Sequence, residues 1–230
     1  MNVALIIAGG SGQRMHLDIP KQFVNVNDKP IIIYTLEQFE NHPDIDKILV
    51  VCLDGWHEIL KAYAKQYSIS KLAWVVSGGK TGHQSINNGI DFLADICSDD
   101  DIVMIHDAIR PLISSEIISD CIVKCKLFGN GVSAIPCVDT MLMTEDKIKS
   151  NISISRDKIM RVQTPQAYRF GLIHQAYQTA KEKGITDCVY ANTLLIELGE
   201  TLYFAVGSEK NLKITNPEDL EMFKSLLALR

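Results

Sequence analysis

The chain has 230 residues, of which 47% are apolar and 22% charged, and its formal net charge is −5. That length can bury a sizeable core without disulfide or metal staples, and the composition is that of an ordinary soluble globular protein. The acidic balance argues against a nucleic-acid binder, which would carry a strongly basic face, and no stretch approaches the roughly 20 apolar residues of a membrane span. The apolar start, Val3 to Ala8, is too short for a secretory leader and runs into Gly9-Gly10. Six scattered cysteines, none in a CxxC pair, fit buried thiols in a reducing cytoplasm better than a zinc site.

The elements alternate. Val3 to Ala8 is a short continuous apolar run closed by glycines, the mark of a strand buried on both faces. Helical spacing follows over Ile31 to Glu40, then a strand over Lys47 to Cys52 and a helix over Trp56 to Tyr67. Trp74 to Val76 is a third strand, and Gln84 to Ile96 a helix with Ile86, Ile90 and Leu93 on one face. Ile102 to Ile105 is a fourth strand, Ser115 to Phe128 a helix with a Ser114 cap, and Val132 to Val138 a fifth strand. The order then breaks: 139–163 holds β-like pieces and charged turns without helical period, and reads as an arm leaving the sheet. Helices are expected over Arg169 to Lys183 and Cys188 to Leu198, and a strand over Thr201 to Val206. A last helix opens at Asn216-Pro-Glu-Asp, where Asn216 can cap and Pro217 suits the first turn. This β-α-β order predicts one domain over residues 1–230, of α/β class, with a doubly wound, mostly parallel sheet.

In such sheets ligands bind beyond the carboxyl ends of the strands, near a topological switch point. After the first strand comes Ala8-Gly-Gly-Ser-Gly-Gln-Arg-Met15, then Pro20-Lys-Gln22. Three glycines let the backbone approach a ligand and present amides, and a cation at each end suits a polyphosphate. The Gly-Lys-Ser/Thr ending of a P-loop is missing, and so is the dinucleotide GxGxxG pattern. A tight turn with two solvated cations is the plainer alternative. After the third strand, Gly78-Gly-Lys-Thr-Gly-His-Gln-Ser85 can present amides and a hydroxyl to a base, or can simply be a capped helix start. After the fourth, His106-Asp-Ala-Ile-Arg-Pro111 offers a carboxylate and a guanidinium, a pair that can bind hydroxyls and phosphate or merely pair with each other. His106 itself reads as a structural strand-end residue.

Together with Asp139-Thr140, Gln163-Thr-Pro-Gln166, Thr186-Asp187, Asn211-Leu-Lys-Ile-Thr215 and Pro217-Glu-Asp-Leu220, these segments resemble the family of 2-C-methyl-D-erythritol 4-phosphate and ribitol-5-phosphate cytidylyltransferases. The resemblance covers nearly the whole chain and keeps motif order. It implies a Rossmann-like fold with the 139–163 arm used to form a homodimer. It also implies a reaction in which the phosphate of a polyol phosphate attacks the α-phosphorus of CTP, yielding a CDP-polyol and pyrophosphate. Two anions must meet in that reaction, so cations and Mg²⁺, bound mainly through the CTP phosphates, carry the catalysis. By the resemblance, Arg14, Lys21 and Lys213 are catalytic. Ala8, Gly9, Gly10, Gly12, Gly79 and Ser85 bind the nucleotide, and no protein metal ligand is implied. Asp107, Arg110, Thr140, Arg156 and Thr164 bind the acceptor, Arg156 from across the dimer.

Departures from the family pattern bear on the acceptor. His16 replaces a common glycine, and Gly82 stands where the second glycine motif usually has an arginine, for which Lys80 or His83 can compensate. Asp139-Thr-Met-Leu-Met-Thr144 is apolar where the erythritol-phosphate branch often has a lysine, and Cys188 replaces an aspartate. Both lean towards a ribitol 5-phosphate acceptor. The alternatives are the methylerythritol enzyme of isoprenoid synthesis, a sugar-1-phosphate nucleotidyltransferase using another base, a nicotinamide-dependent oxidoreductase lacking its usual first turn, and a non-catalytic nucleotide-binding paralogue.

Overall fold

The computed structural model describes residues 1–10, 19–185, 188 and 190–229. Along the chain run β1 (Asn2–Ala8), a hairpin of β2 (Asn25–Val26) and β3 (Lys29–Pro30), α1 (Ile31–Glu40), β4 (Lys47–Cys52), α2 (His57–Gln66), β5 (Leu72–Ser77) and α3 (Gly82–Leu93). Then come β6 (Ile102–Asp107), α4 (Ser115–Phe128), β7 (Asn130–Pro136), β8 (Met141–Met143), β9 (Ile152–Ile154), β10 (Met160–Arg169), α5 (Phe170–Lys183), α6 (Ala191–Glu197), β11 (Phe204–Val206) and α7 (Pro217–Leu227).

Seven strands form the central sheet in the order β11-β7-β10-β6-β1-β4-β5. Every neighbouring pair is parallel except those made by β10, which runs antiparallel to both β6 and β7. β1 lies at the centre of the parallel part, with Ile6 opposite Val50 on one side and His106 on the other. Its side chains alternate between two cores, as period-two geometry demands. Ala4, Ile6 and Ala8 pack with α1, α2 and α4, while Val3 and Leu5 pack with α3, α5 and α6. A third, smaller core joins Ile109 and Ile214 to α7 through Phe223, whose ring meets Tyr34 edge-on. α7 starts in a reciprocal capping box between Asn216 and Asp219, with Pro217 in the first turn.

The doubly wound α/β sheet is thus as the alternation predicts, but one strand was not foreseen. β10 begins at Met160, inside the stretch expected to be an excursion, and fills the gap between β6 and β7. Its pairing with β7 breaks between Val162 and Gln166, so Thr164 and Pro165 stand outside the regular ladder. Elements near the carboxyl end of the chain are also shorter than their patterns suggest, with α6 starting at Ala191 and β11 at Phe204. Among the described residues no helix is long and apolar enough to cross a membrane.

β7 lies close against α4. A Cβ at the buried Gly131 would come 2.5 Å from the Cys121 carbonyl oxygen and 3.2 Å from the Cys125 amide nitrogen. Both are helix backbone and cannot swing aside. Gly131→Ala is expected to cost about 1–3 kcal/mol by overpacking. Thermal unfolding should then show a Tm lower by roughly 3–10 °C.

Candidate active site

From β1 the sheet grows one way through β4 to β5, and the chain then returns to place β6 on the other side of β1. The strand order reverses there, and a cavity of about 550 Å³ opens beyond the strand ends. Its walls come from the turn after β1, the turn after β5, the end of β6, the break in β10, and the segment leading to α7. Distant parts of the chain therefore meet in one place.

Two glycine turns form one end. Gly9 and Gly78 lie back to back: a Cβ on Gly78 would sit 3.1 Å from the Gly9 Cα, and one on Gly9 3.3 Å from the Gly78 Cα. A Cβ at either position would press the two turns apart by a few tenths of an ångström. The Gln22 side-chain amide donates to the carbonyls of Ala8 (2.7 Å) and Gly10 (3.0 Å), pinning the first turn. The Ser85 hydroxyl accepts from the Gly79 amide and donates to the Thr81 carbonyl, each at 3.0 Å. It holds the second turn in shape, and the Thr81 side chain caps α3 by accepting from the Gln84 amide. A smaller cavity of about 350 Å³ adjoins this end, sharing Gly9, Leu53, Gly79 and Lys80 with the main one.

A charge cluster forms the other end. Asp107 Oδ2 accepts from Lys213 Nζ at 3.0 Å, Arg110 Nε at 3.2 Å and Thr164 Oγ1 at 3.4 Å. Thr164 Oγ1 also accepts from the Asp107 amide at 3.1 Å. Asp107 Oδ1 accepts no hydrogen bond from a described residue, so the carboxylate keeps acceptor capacity in the cavity it lines. Burial pushes the Asp107 carboxyl up, but the charges of Lys213 and Arg110 and the lysine hydrogen bond outweigh it, and the net shift is down. The cluster is braced from behind. Arg110 Nη1 donates to the Asn211 carbonyl at 2.7 Å, and Asn211 Nδ2 donates to the Thr164 carbonyl at 2.8 Å. Gln163 ties to Ser208 through both ends of its amide, and the Ile214 amide donates to the Ile109 carbonyl. Neighbouring His106 is fully buried; burial pushes its pKa down to about 3, so it is neutral, with Nε2 at 3.2 Å from the Arg110 carbonyl.

Of the residues singled out in the sequence, the cavity gathers Ala8, Gly9, Gly10, Lys21, Gly79, Ser85, Asp107, Thr164 and Lys213. Lys21 opens a 3₁₀ turn, Lys21–Phe23, and is largely buried. Gly12 and Arg14 lie outside the described residues, as do Thr186 and Asp187. Arg110 does not line the cavity but reaches it through Asp107. Thr140 and Arg156 are not among its lining residues. Thr140 is exposed next to β8, and Arg156 is exposed after β9, its Nη1 donating to the Val138 carbonyl at 2.9 Å. Of the two side chains that could compensate for Gly82, Lys80 lines the cavity. His83 instead packs beside Tyr177, with ring centroids 5.0 Å apart. Sequence reasoning quoted Gln22, Gln163 and Asn211 without giving them a task, and missed Tyr190 altogether.

Glycine turns that offer backbone amides, lysines converging from both halves of the chain, and a cavity at the switch point of a parallel sheet define an α/β nucleotidyltransferase. The model of the 2-C-methyl-D-erythritol 4-phosphate cytidylyltransferase (IspD) family matches residues 2–228. A ribitol-5-phosphate cytidylyltransferase from Lacticaseibacillus paracasei is 48% identical, over 99% of this chain and 98% of its own. A 2-C-methyl-D-erythritol 4-phosphate cytidylyltransferase from Clostridium novyi is 36% identical, over 98% and 96%. The crystal structure of the Francisella tularensis enzyme of the latter name superposes with a TM-score of 0.78 at 28% identity, covering 98% of this chain and 99% of that one. The chain belongs to the 2-C-methyl-D-erythritol 4-phosphate cytidylyltransferase family.

Asp107→Asn removes the anion that Lys213 and Arg110 share, and it should lower the Tm at neutral pH. A carboxyl with a depressed folded-state pKa stabilises the fold above its unfolded value, here 3.8, and that contribution is lost as the pH falls through the folded value. The Tm gap between wild type and Asp107→Asn should be widest above about pH 5 and should close on stronger acidification. Thermal unfolding of both proteins at pH 7 and pH 3 measures it.

Proposed function

We propose that the chain transfers the cytidylyl group of CTP to ribitol 5-phosphate, releasing pyrophosphate. The observation that carries this reading is the juxtaposition of the glycine turns with the Lys213–Asp107–Thr164 cluster across one cavity. An acceptor phosphate oxygen attacks the α-phosphorus, a P–O–P bond forms, and the bond from the α-phosphorus to the bridging oxygen breaks. Pyrophosphate leaves with that electron pair. The nucleophile is already an anion, so the protein's task is to offset charge with fixed donors. Lys21 and Lys213 supply cations, the glycine turns supply amides, and the uncommitted oxygen of Asp107 accepts a polyol hydroxyl. Arg14 joins the cations by family resemblance.

The apolar Met141–Met143 segment and Cys188 favour ribitol phosphate over methylerythritol phosphate, in keeping with the name of the 48% identical relative. Mg²⁺ would be carried mainly by the CTP phosphates. The cytoplasm, where CTP is available, is the proposed compartment, and the six cysteines are free thiols there. Pyrophosphate release with CTP and Mg²⁺ tests the reaction, with ribitol 5-phosphate and methylerythritol 4-phosphate supplied in parallel. Turnover should favour ribitol phosphate and stop with EDTA. Preference for methylerythritol phosphate would reassign the acceptor, and metal-independent turnover would remove the Mg²⁺ role.

A homodimer completes this reading. The β8–β9 hairpin carries Leu142, Met143, Ile148 and Ile152, each more than half exposed. A two-stranded ribbon this apolar needs a cover, and a second copy provides one. Arg156 sits at the base of that ribbon, outside its own chain's cavity, so it serves a partner's acceptor phosphate. Lys213→Ala should lower kcat by on the order of a hundredfold or more, and Arg156→Ala should chiefly raise the acceptor KM. Mixing the two should rebuild one intact site per mixed dimer and restore activity. No recovery after verified subunit exchange would rule out a shared site.

A further inference from the structure

Tyr190 is the only aromatic side chain among the described residues that line the main cavity. Its position in the chain is unusual for a tyrosine. It is the N-cap of α6, in extended backbone, and its side chain makes no capping hydrogen bond. Helix starts favour Ser, Thr, Asp and Asn, whose short side chains reach the free amides of the first turn. A phenol cannot. The rest of the start is ordinary: Ala191, Leu194 and Leu195 are buried, and the Tyr190 carbonyl accepts from Thr193 Oγ1 at 2.8 Å and from the Leu194 amide at 3.2 Å. The helix thus fixes the tyrosine backbone while the residue stays 47% exposed, outside the core. A residue that breaks the local rule without joining the core marks function. The contact it does make points to which function. Lys213 Nζ lies 5.6 Å from the ring centroid, and the same ammonium is 3.0 Å from Asp107 Oδ2. Tyr190 is therefore coupled to the charge cluster.

We propose that Tyr190 selects the acceptor, its ring forming the wall on which the polyol chain lies beside Asp107 and Lys213. This rests on the reading of the site given above. An acyclic polyol phosphate presents a carbon spine edged with hydroxyls, and a tyrosine matches it with an apolar body and a polar tip. The ring face also steadies the Lys213 ammonium by cation–π attraction.

The test is steady-state kinetics with CTP and ribitol 5-phosphate for wild type, Tyr190→Ser and Tyr190→Leu, with a Tm for each. Tyr190→Ser supplies the missing cap and should leave the Tm unchanged or raised. Tyr190→Leu keeps apolar bulk without a cap or a ring, so it leaves the helix start as it is. Both should raise the acceptor KM about tenfold, the scale of one pocket contact, with the CTP KM within about twofold of wild type. A purely structural role would instead tie activity to Tm, and the two variants would then part company. An acceptor KM within about twofold of wild type in either folded variant, or an equal rise in the CTP KM, overturns the proposal. Wild-type protein that turns over no polyol phosphate overturns the site reading and this proposal with it. Wild-type turnover beside unchanged variants overturns Tyr190 alone.

Discussion

One carboxylate organises the charged end of the site. Asp107 stands at the end of β6, and its Oδ2 draws in Arg110 from the following turn, Thr164 from the break in β10 and Lys213 from near the far end of the chain. Exposed ion pairs contribute little, about 0–1 kcal/mol, and enclosed ones often fail to recover their desolvation. Asp107 lies between these limits, and the direction of its shift shows which side wins: two cations and their hydrogen bonds overcome the upward push of burial. The charge pattern that a triphosphate and a phosphate ester would meet is therefore set before either arrives. Preorganisation of this kind makes fixed charges effective in catalysis, because little reorganisation is left for the reaction itself.

The glycine end is held by a different force. There the constraint is steric, with two turns packed so closely that a side chain at Gly9 or Gly78 would press on the facing backbone. Backbone placed this way presents amides without side-chain entropy to lose on binding. Several polar residues around both ends brace the backbone. Gln22 holds the first turn, Ser85 the second, and Asn211 and Gln163 the strap that carries Lys213. Ser85 does both: its hydroxyl accepts from the Gly79 amide and donates to the Thr81 carbonyl, and the residue lines the cavity.

Much of this was legible in the sequence, and what was not has physical causes. The parallel strands are short apolar runs closed by glycine or a polar turn, because strands covered on both faces need no polar positions. β10 escaped notice because Gln163-Thr-Pro-Gln166 breaks every strand rule. It carries polar residues where a central strand is apolar, and a proline that removes a ladder hydrogen bond. The structure resolves the conflict by interrupting the ladder at that point. The glutamines then turn to bracing: Gln163 to Ser208, and Gln166 to Tyr168 and the Gln163 carbonyl. α6 was drawn too long because Cys188 continues its apolar period, whereas the helix begins only after Tyr190, which cannot cap it. The residues around the cavity could be named from motif order. Their division into those facing the cavity and those bracing it depends on long-range hydrogen bonds that no spacing encodes.

The same division accounts for how one fold can serve two acceptors, both of which are named among the relatives of this chain. The glycine end is built on the strand ends and helix starts of the sheet, where a change in backbone would disturb both cores. The charged end draws on irregular parts as well: the break in β10, the uncapped start of α6 and the segment leading to α7. Irregular segments vary more readily than the strands and helices they join. Acceptor choice can therefore drift while the sheet, the glycine turns and the Asp107 cluster stay in place. Substrate identity must then be argued from side chains such as Tyr190 and the apolar Met141–Met143 run, because the fold is common to both branches.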